Sequence, residues 1–195
     1  MTRTTPPWLN HLRRDRRGLP VPHINLWGNA DDSSRFRIEP DPYVNAPGIC
    51  FVDDYAGDPD FTKQSFQRQR ESMLGGLCQV CGRPVPWRRR LLALGDLSVE
   101  TVQVDGKTYD AVTEPWLDTR CAEFALTHCP ALIRRRREEN LILVQIESKD
   151  QVTFTISTGY VDGPLRAESL RQQPAMFAKA LLGSFTKVAS IPSDC

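Results

Sequence analysis

The sequence predicts an α+β fold: a knuckle–hairpin–helix unit at the centre, additional antiparallel strands around it, and C-terminal helices. Three observations lead there. Cys78-Gln-Val-Cys81-Gly82 is answered about forty residues later by Asp118-Thr-Arg-Cys121, so two candidate ligand pairs of equal spacing bracket one segment. Inside that segment, Val99–Val104 and Lys107–Val112 flank Asp105-Gly106, and Asp-Gly suits the positive-φ positions of a two-residue hairpin turn. Beyond it, residues 165–173 and 175–188 read as helices separated by Pro174.

In chain order, residues 1–20 are rich in proline and arginine and are expected to be irregular. Residues 20–27 read as an extended segment whose prolines keep it at an edge. Arg35-Phe-Arg-Ile38 alternates polar and apolar and reads as a short strand. Residues 40–60 gather prolines, glycines and aspartates, the composition of a surface loop. Residues 61–74 read as a helix carrying Phe66, Met73 and Leu74, stopped by Gly75-Gly76. After the cysteine turn, 87–94 reads as a strand, followed by the Asp-Gly hairpin. Pro115-Trp-Leu-Asp118 then leads into a helix over 119–128, and Pro130 prevents its long continuation. A second hairpin is expected from 141–146 and 152–156. The chain thus divides into an N-terminal extended and strand segment (1–40), a loop and helix insertion (41–74), the central unit (75–133), and a hairpin with C-terminal helices (134–195), all in one globular domain.

Composition bounds the partners. With 195 residues and 40% hydrophobic content, the chain is long enough to bury a core. Net charge is +1, so no global field draws it to nucleic acid or to an anionic membrane. No run approaches the ~20 apolar residues of a membrane span, and the N-terminus lacks the apolar stretch of a signal peptide. A cytoplasmic setting is therefore expected, with no membrane partner. There the six cysteines stay reduced, which favours metal over disulfides.

The metal expectation is specific. A Cys-x₂-Cys-Gly turn aims two thiolates at one point, and a ligand on the first turn of a helix can complete a tetrahedron around one structural Zn²⁺. Cys78, Cys81 and Cys121 are the candidate ligands, in the layout of a treble-clef zinc module, which is zinc-finger-like. Asp118, three residues before Cys121 on the same face, is the expected fourth ligand; as an alternative role it caps the helix N-terminus. Cys129 is the alternative fourth ligand. Eight helical residues separate it from Cys121, a rise of ~12 Å, whereas two sulfurs on one zinc lie within roughly 4 Å of each other. Both can bind only if the helix breaks between them, and His128 fails for the same reason. A structural staple is the preferred role, because catalytic zinc needs a general base and a cleft. Glu123 reads as a solvated first-turn acid, His11 and His23 as isolated histidines, and Cys50 and Cys195 as simple thiols. No catalytic residue is assigned.

Arginine supplies 20 of the 25 basic side chains and is clustered. Arg13-Arg14-Asp-Arg16-Arg17 opens the chain; Arg88-Arg89-Arg90 follows the cysteine turn; Arg134-Arg135-Arg136-Arg137 follows the central helix. The last two bracket the metal module. If they converge, they form a face for a phosphate backbone, with Trp8, Trp87 and Trp116 available for stacking. The expected function is a zinc-stabilised binding module for nucleic acid or a protein partner. The first alternative is a small enzyme of a specialised pathway using an open zinc position. The hairpin lacks the histidine of His-Asn-His nucleases, and no phosphate-binding loop, dinucleotide fingerprint or serine elbow is present. The second alternative is a structural or regulatory protein whose last helix docks elsewhere through Met176, Phe177, Leu181, Leu182 and Phe185.

Several stretches carry a resemblance: Pro6-Pro-Trp-Leu, Arg14-Asp-Arg-Arg-Gly-Leu-Pro-Val-Pro22, Arg35-Phe-Arg-Ile-Glu, Cys78-Gln-Val-Cys81-Gly82, the 91–95 stretch, Arg120-Cys121-Ala-Glu-Phe-Ala125, Cys129-Pro130 and Leu165-Arg-Ala-Glu168. In register over most of the chain, they resemble a family of small, uncharacterised proteins common in actinobacteria and their phages. The resemblance implies a zinc-stabilised fold and a cytoplasmic setting, and no reaction. This chain departs where that family usually has His, at Asp118, and over 41–74, which is longer and different here.

Overall fold

The computed structural model describes residues 5–28, 35–51, 55, 57–94, 99–138, 140–146, 149–158, 175–182 and 186–188. Among them the architecture is mixed α+β, with strands dominant and three α-helices. Strands β1 (Asn25–Trp27) and β4 (Pro59–Gln64) form an antiparallel pair. A six-stranded sheet runs β2 (Phe36–Asp41), β3 (Ala46–Phe51), β11 (Ala175–Leu182), β7 (Lys107–Val112), β6 (Val99–Val104), with β10 (Val152–Thr158) also paired to β11. A four-stranded sheet runs β12 (Thr186–Val188), β9 (Ile142–Ile146), β5 (Arg90–Leu94), β8 (Leu117–Asp118). The helices are α1 (Phe66–Gly75), α2 (Thr119–His128) and α3 (Pro130–Arg137).

Strand β5 is buried along its whole length, and its two faces serve two cores. Leu91 and Ala93 pack with Leu9, Val85, Leu117, Ala122 and the three cysteines 78, 81 and 121. Leu92 and Leu94 pack on the other side with Met73, Val112, Trp116, Val144, Ile146 and Leu182. The period-two alternation of a strand explains how four consecutive apolar residues reach two cores. The cysteine group is therefore one end of a hydrophobic core.

Helix α1 is buried through polar residues. Its N-cap Ser65 accepts from the Arg68 backbone N–H, and Arg68, Gln69, Arg70 and Ser72 are all buried. Arg70 Nε donates to Asp41 Oδ2 at 2.6 Å, while its terminal nitrogens donate to the carbonyls of Ile49, Ala175 and Met176. Gln69 donates to the Thr113 and Ala178 carbonyls and accepts from the Ala178 N–H. The side-chain hydrogen bonds join α1 to the six-stranded sheet.

Several expectations change. Within the segment expected to be helical over 175–188, the described residues form strands β11 and β12, so Met176, Phe177, Leu181 and Leu182 of the face proposed for a docking helix belong to a sheet strand; 165–173 and 183–185, with Phe185, lie outside the described residues. The reason is tertiary: β11 pairs with β3, β7 and β10, and those ladders outweigh the helix propensity of Ala, Met, Lys and Leu. Strands β9 and β10 do not pair with each other as a hairpin; β9 joins β5 and β12, and β10 joins β11. The loop expected over 40–60 includes β3, and the helix expected from residue 61 starts at Phe66 because β4 takes the preceding residues. The β6–β7 hairpin forms as read, with Asp105 at φ 50° and Gly106 at φ 74°. No described helix is long and apolar enough to cross a membrane.

Candidate metal centre

The knuckle is held by its own backbone. Cys78 N–H donates to the Arg83 carbonyl and Gly82 N–H to the Cys78 carbonyl, each at 2.8 Å, and Leu77 bridges Pro84. Gly82 takes φ 68°, a left-handed conformation that an L side chain resists. A Cβ there would lie 2.9 Å from the His23 ring. The N-terminal segment clamps the outside of the turn: His23 N–H donates to the Val80 carbonyl and Ile24 N–H to that of Gln79. His11 Nε2 lies 2.8 Å from the Cys81 carbonyl oxygen.

The third cysteine arrives through β8. Asp118 pairs with Arg90 of β5, which sets the start of α2 beside the knuckle. Counting from Asp118 as N-cap, Cys121 is the third residue of α2 and sits on its first turn. The sulfurs of Cys78, Cys81 and Cys121 all lie within 4.8 Å of one another. Their residues are 0%, 8% and 1% exposed. Tetrahedral geometry with a metal–sulfur bond of ~2.3 Å sets sulfurs about 4 Å apart, so little movement separates this arrangement from one face of such a tetrahedron. All five described cysteines are free of disulfides.

The surroundings favour negative charge on one of the three sulfurs, that of Cys81. Asp118 N–H lies 3.4 Å from Cys78 Sγ, and the Arg83 N–H donates to Cys81. Such N–H donors offset negative charge on sulfur. The thiols of Cys121 and Cys78 both donate to Cys81, which holds Cys81 well below the usual thiol range. Burial pushes Cys78 up, and the hydrogen bonds to Cys78 and Cys81 push Cys121 up. Three sulfurs this close cannot all carry charge unaided; a divalent cation lifts that conflict, because a coordinating thiol is deprotonated outright.

The donor atoms of the other expected ligands fall outside this group. The Asp118 carboxylate caps α2, accepting from the Arg120 N–H at 3.1 Å, and both its oxygens lie 2.9 Å from Arg89 Nη2. Cys129 sits where α2 ends and α3 begins; α2 is unbroken between it and Cys121, so the helix rise separates the two thiols. His128 stacks on Phe124 with ring centroids 4.1 Å apart. Glu123 is exposed, and Cys195 lies outside the described residues. Cys50 is buried beside Arg70 Nη2 at 3.9 Å, and burial raises its thiol.

The arginine clusters divide. Arg89 is committed to Asp118, and Arg90 is buried, its guanidinium 3.6 Å from the Trp87 ring centroid and its Nε bonded to the Val85 carbonyl. Arg88 is exposed. Near the N-terminus, Arg16 pairs with Asp58, Arg17 with Asp15, and Arg13 lies over Tyr55. Arg134, Arg136 and Arg137 are exposed and Arg135 half-buried on α3, with no ion pair to a described residue. Trp116 is fully buried, its Nε1 donating to the Met73 carbonyl, so it is unavailable for stacking. Trp8 is packed edge-on against Phe124 and Trp87 against Trp116.

Sequence reasoning missed the clamp made by His11 and His23 and the polar side of α1. No local pattern marks either, since both depend on contacts between distant segments. The Arg83 N–H donor is different: it follows from the Cys-x₂-Cys-Gly turn itself. No family model, curated protein or solved structure matches this chain.

Proposed function

We propose that this chain is a zinc-stabilised binding module that presents α3 to a polyanion, with nucleic acid as the partner class. The observation that carries the first half is the buried three-sulfur group drawn from a knuckle and the first turn of a helix. Three thiolates suit a borderline-soft ion, and zinc adds neither redox activity nor a demand on geometry beyond a tetrahedron. The succession of knuckle, hairpin and helix makes the unit treble-clef-like.

The second half rests on α3. Four successive arginines close the helix, and three are exposed with no described carboxylate holding them. Part of their effect is internal, since cations at a helix C-terminus complement its dipole. Four consecutive charges nevertheless exceed what one helix end uses, and a row of guanidinium groups matches phosphate geometry. Arg88 extends the reading beyond α3, whereas Arg89 and Arg90 serve the fold.

The test pairs metal analysis with a salt series. About one zinc per chain is expected. Binding to single- and double-stranded oligonucleotides should fall steeply with salt. The triple change Arg134→Gln, Arg136→Gln, Arg137→Gln should weaken every sequence alike and lower the slope by up to about three, near one for each phosphate no longer neutralised. A flat salt response, or a slope the triple variant leaves unchanged, would remove the nucleic-acid reading and leave a protein partner.

A further inference from the structure

The fourth position of the metal centre follows from how Asp118 is used, and this step rests on the metal reading above. A tetrahedral ion takes four donors, and the sulfur group supplies three. Every described residue that the spacing suggests as the fourth is engaged or remote. Both oxygens of Asp118 face Arg89, and one also takes the Arg120 N–H. Its backbone N–H, not its carboxylate, is the group that touches the site, at Cys78 Sγ. To coordinate, the carboxylate would have to leave both the helix cap and the guanidinium. Cys129 stands at the far end of an unbroken helix, and His128 is stacked on Phe124. His11 is turned to the Cys81 carbonyl, and neither ring nitrogen of His23 falls within the sulfur group, although its buried Nε2 has no hydrogen-bond partner among the described residues.

We infer that the ion is held by three thiolates and that its fourth ligand is a water molecule, exchangeable for a small exogenous thiolate or imidazole. Asp118 is then a positioning residue: it fixes the first turn of α2, and so Cys121, through its cap and its pair with Arg89. Cys81 is the most exposed of the three cysteines, at 8% against 0% and 1%, so the approach of a small ligand is expected on its side. The exposed Arg83 and Arg120 suit an anionic incoming ligand.

The test uses the full chain loaded with Zn²⁺ for X-ray absorption and with Co²⁺ for visible spectroscopy. The expected zinc shell is three sulfurs and one oxygen or nitrogen. Imidazole and 2-mercaptoethanol, added separately, should each shift the cobalt d–d bands saturably. Asp118→Asn and Asp118→Ser keep a good N-cap, and both should retain the three-sulfur shell and the same ligand-induced shift. Four sulfurs in the parent would overturn the inference, with Cys129→Ser and Cys195→Ser identifying the source. A parent unresponsive to both ligands, with Asp118→Ser newly responsive, would overturn it in favour of carboxylate coordination. A parent that takes up no stoichiometric metal would overturn both this inference and the zinc reading, and metal content separates that outcome from the others.

Discussion

Replacing Gly82 by alanine tests whether the knuckle is shaped by its own turn or by the segment packed outside it. Two costs are expected. At φ 68° an added Cβ brings left-handed strain of about 1–2 kcal/mol. That Cβ would also lie 2.9 Å from both Cγ and Nδ1 of His23, too close for real atoms, so either the ring must leave its rotamer or the His23 backbone, tied to Val80 through its N–H, must shift. Overpacking of this kind adds about 1–3 kcal/mol. Gly106 is the control: its φ is 74°, and a Cβ there meets nothing within 4 Å. Gly106→Ala should therefore lose only the backbone share. Equilibrium urea unfolding of the zinc-loaded proteins reads the difference, expected at about 1–3 kcal/mol against Gly82→Ala. His23→Ala, made in the Gly82→Ala background, should recover that excess as a coupling energy. Equal losses at the two glycines, or no coupling with His23, would refute the reasoning and reduce the knuckle to a free-standing turn.

Three further outcomes are expected. Cys121→Ser should lose most of the zinc and unfold the core around Leu91 and Ala122, because metal-binding free energy of about 10–16 kcal/mol is also folding free energy and rivals the whole stability of a domain; zinc content and circular dichroism before and after chelation check this. Asp41→Asn leaves Arg70 charged in a site where both side chains are 0–1% exposed, and should cost about 3–5 kcal/mol in the same unfolding assay, whereas a loss under about 1 kcal/mol would show that water reaches the guanidinium. Burial, aided by the charge of Arg68, holds the His23 imidazole below its ordinary value of 6.5. The unfolded chain then binds the proton first, so stability is retained above pH 6.5 and declines as pH falls below it toward the folded value. His23→Gln should flatten that part of the stability–pH curve, and an unchanged curve would assign the slope to other groups.

What was legible from the residues was what is locally encoded. The β6–β7 hairpin follows from Asp105-Gly106, and α2 from Asp118 as its cap and Pro130 beyond it. The cysteine group follows because a knuckle and a helix start each place ligands by short-range geometry. The rest depends on distant partners. Residues 175–182 carry good helix formers, yet form a strand because three other strands claim their backbone. Strands β9 and β10 are near neighbours in sequence, yet their ladders lie in different sheets. The buried side of α1 reads Arg, Gln, Arg and Ser, which no hydrophobic period would mark; it is stable only because Asp41 and the carbonyls of other strands receive it.

The placement of β11 has a consequence for synthesis. The ladder between β10 and β11 spans residues 152 to 182, and β11 is also the bridge between the β2–β3 and β6–β7 hairpins. During translation both hairpins emerge well before the strand that joins them. Each must therefore wait on the ribosome with an unmatched edge, open to pairing with a neighbouring nascent chain. Both edges are closed only when residues 175–182 arrive, and one strand then closes the two together.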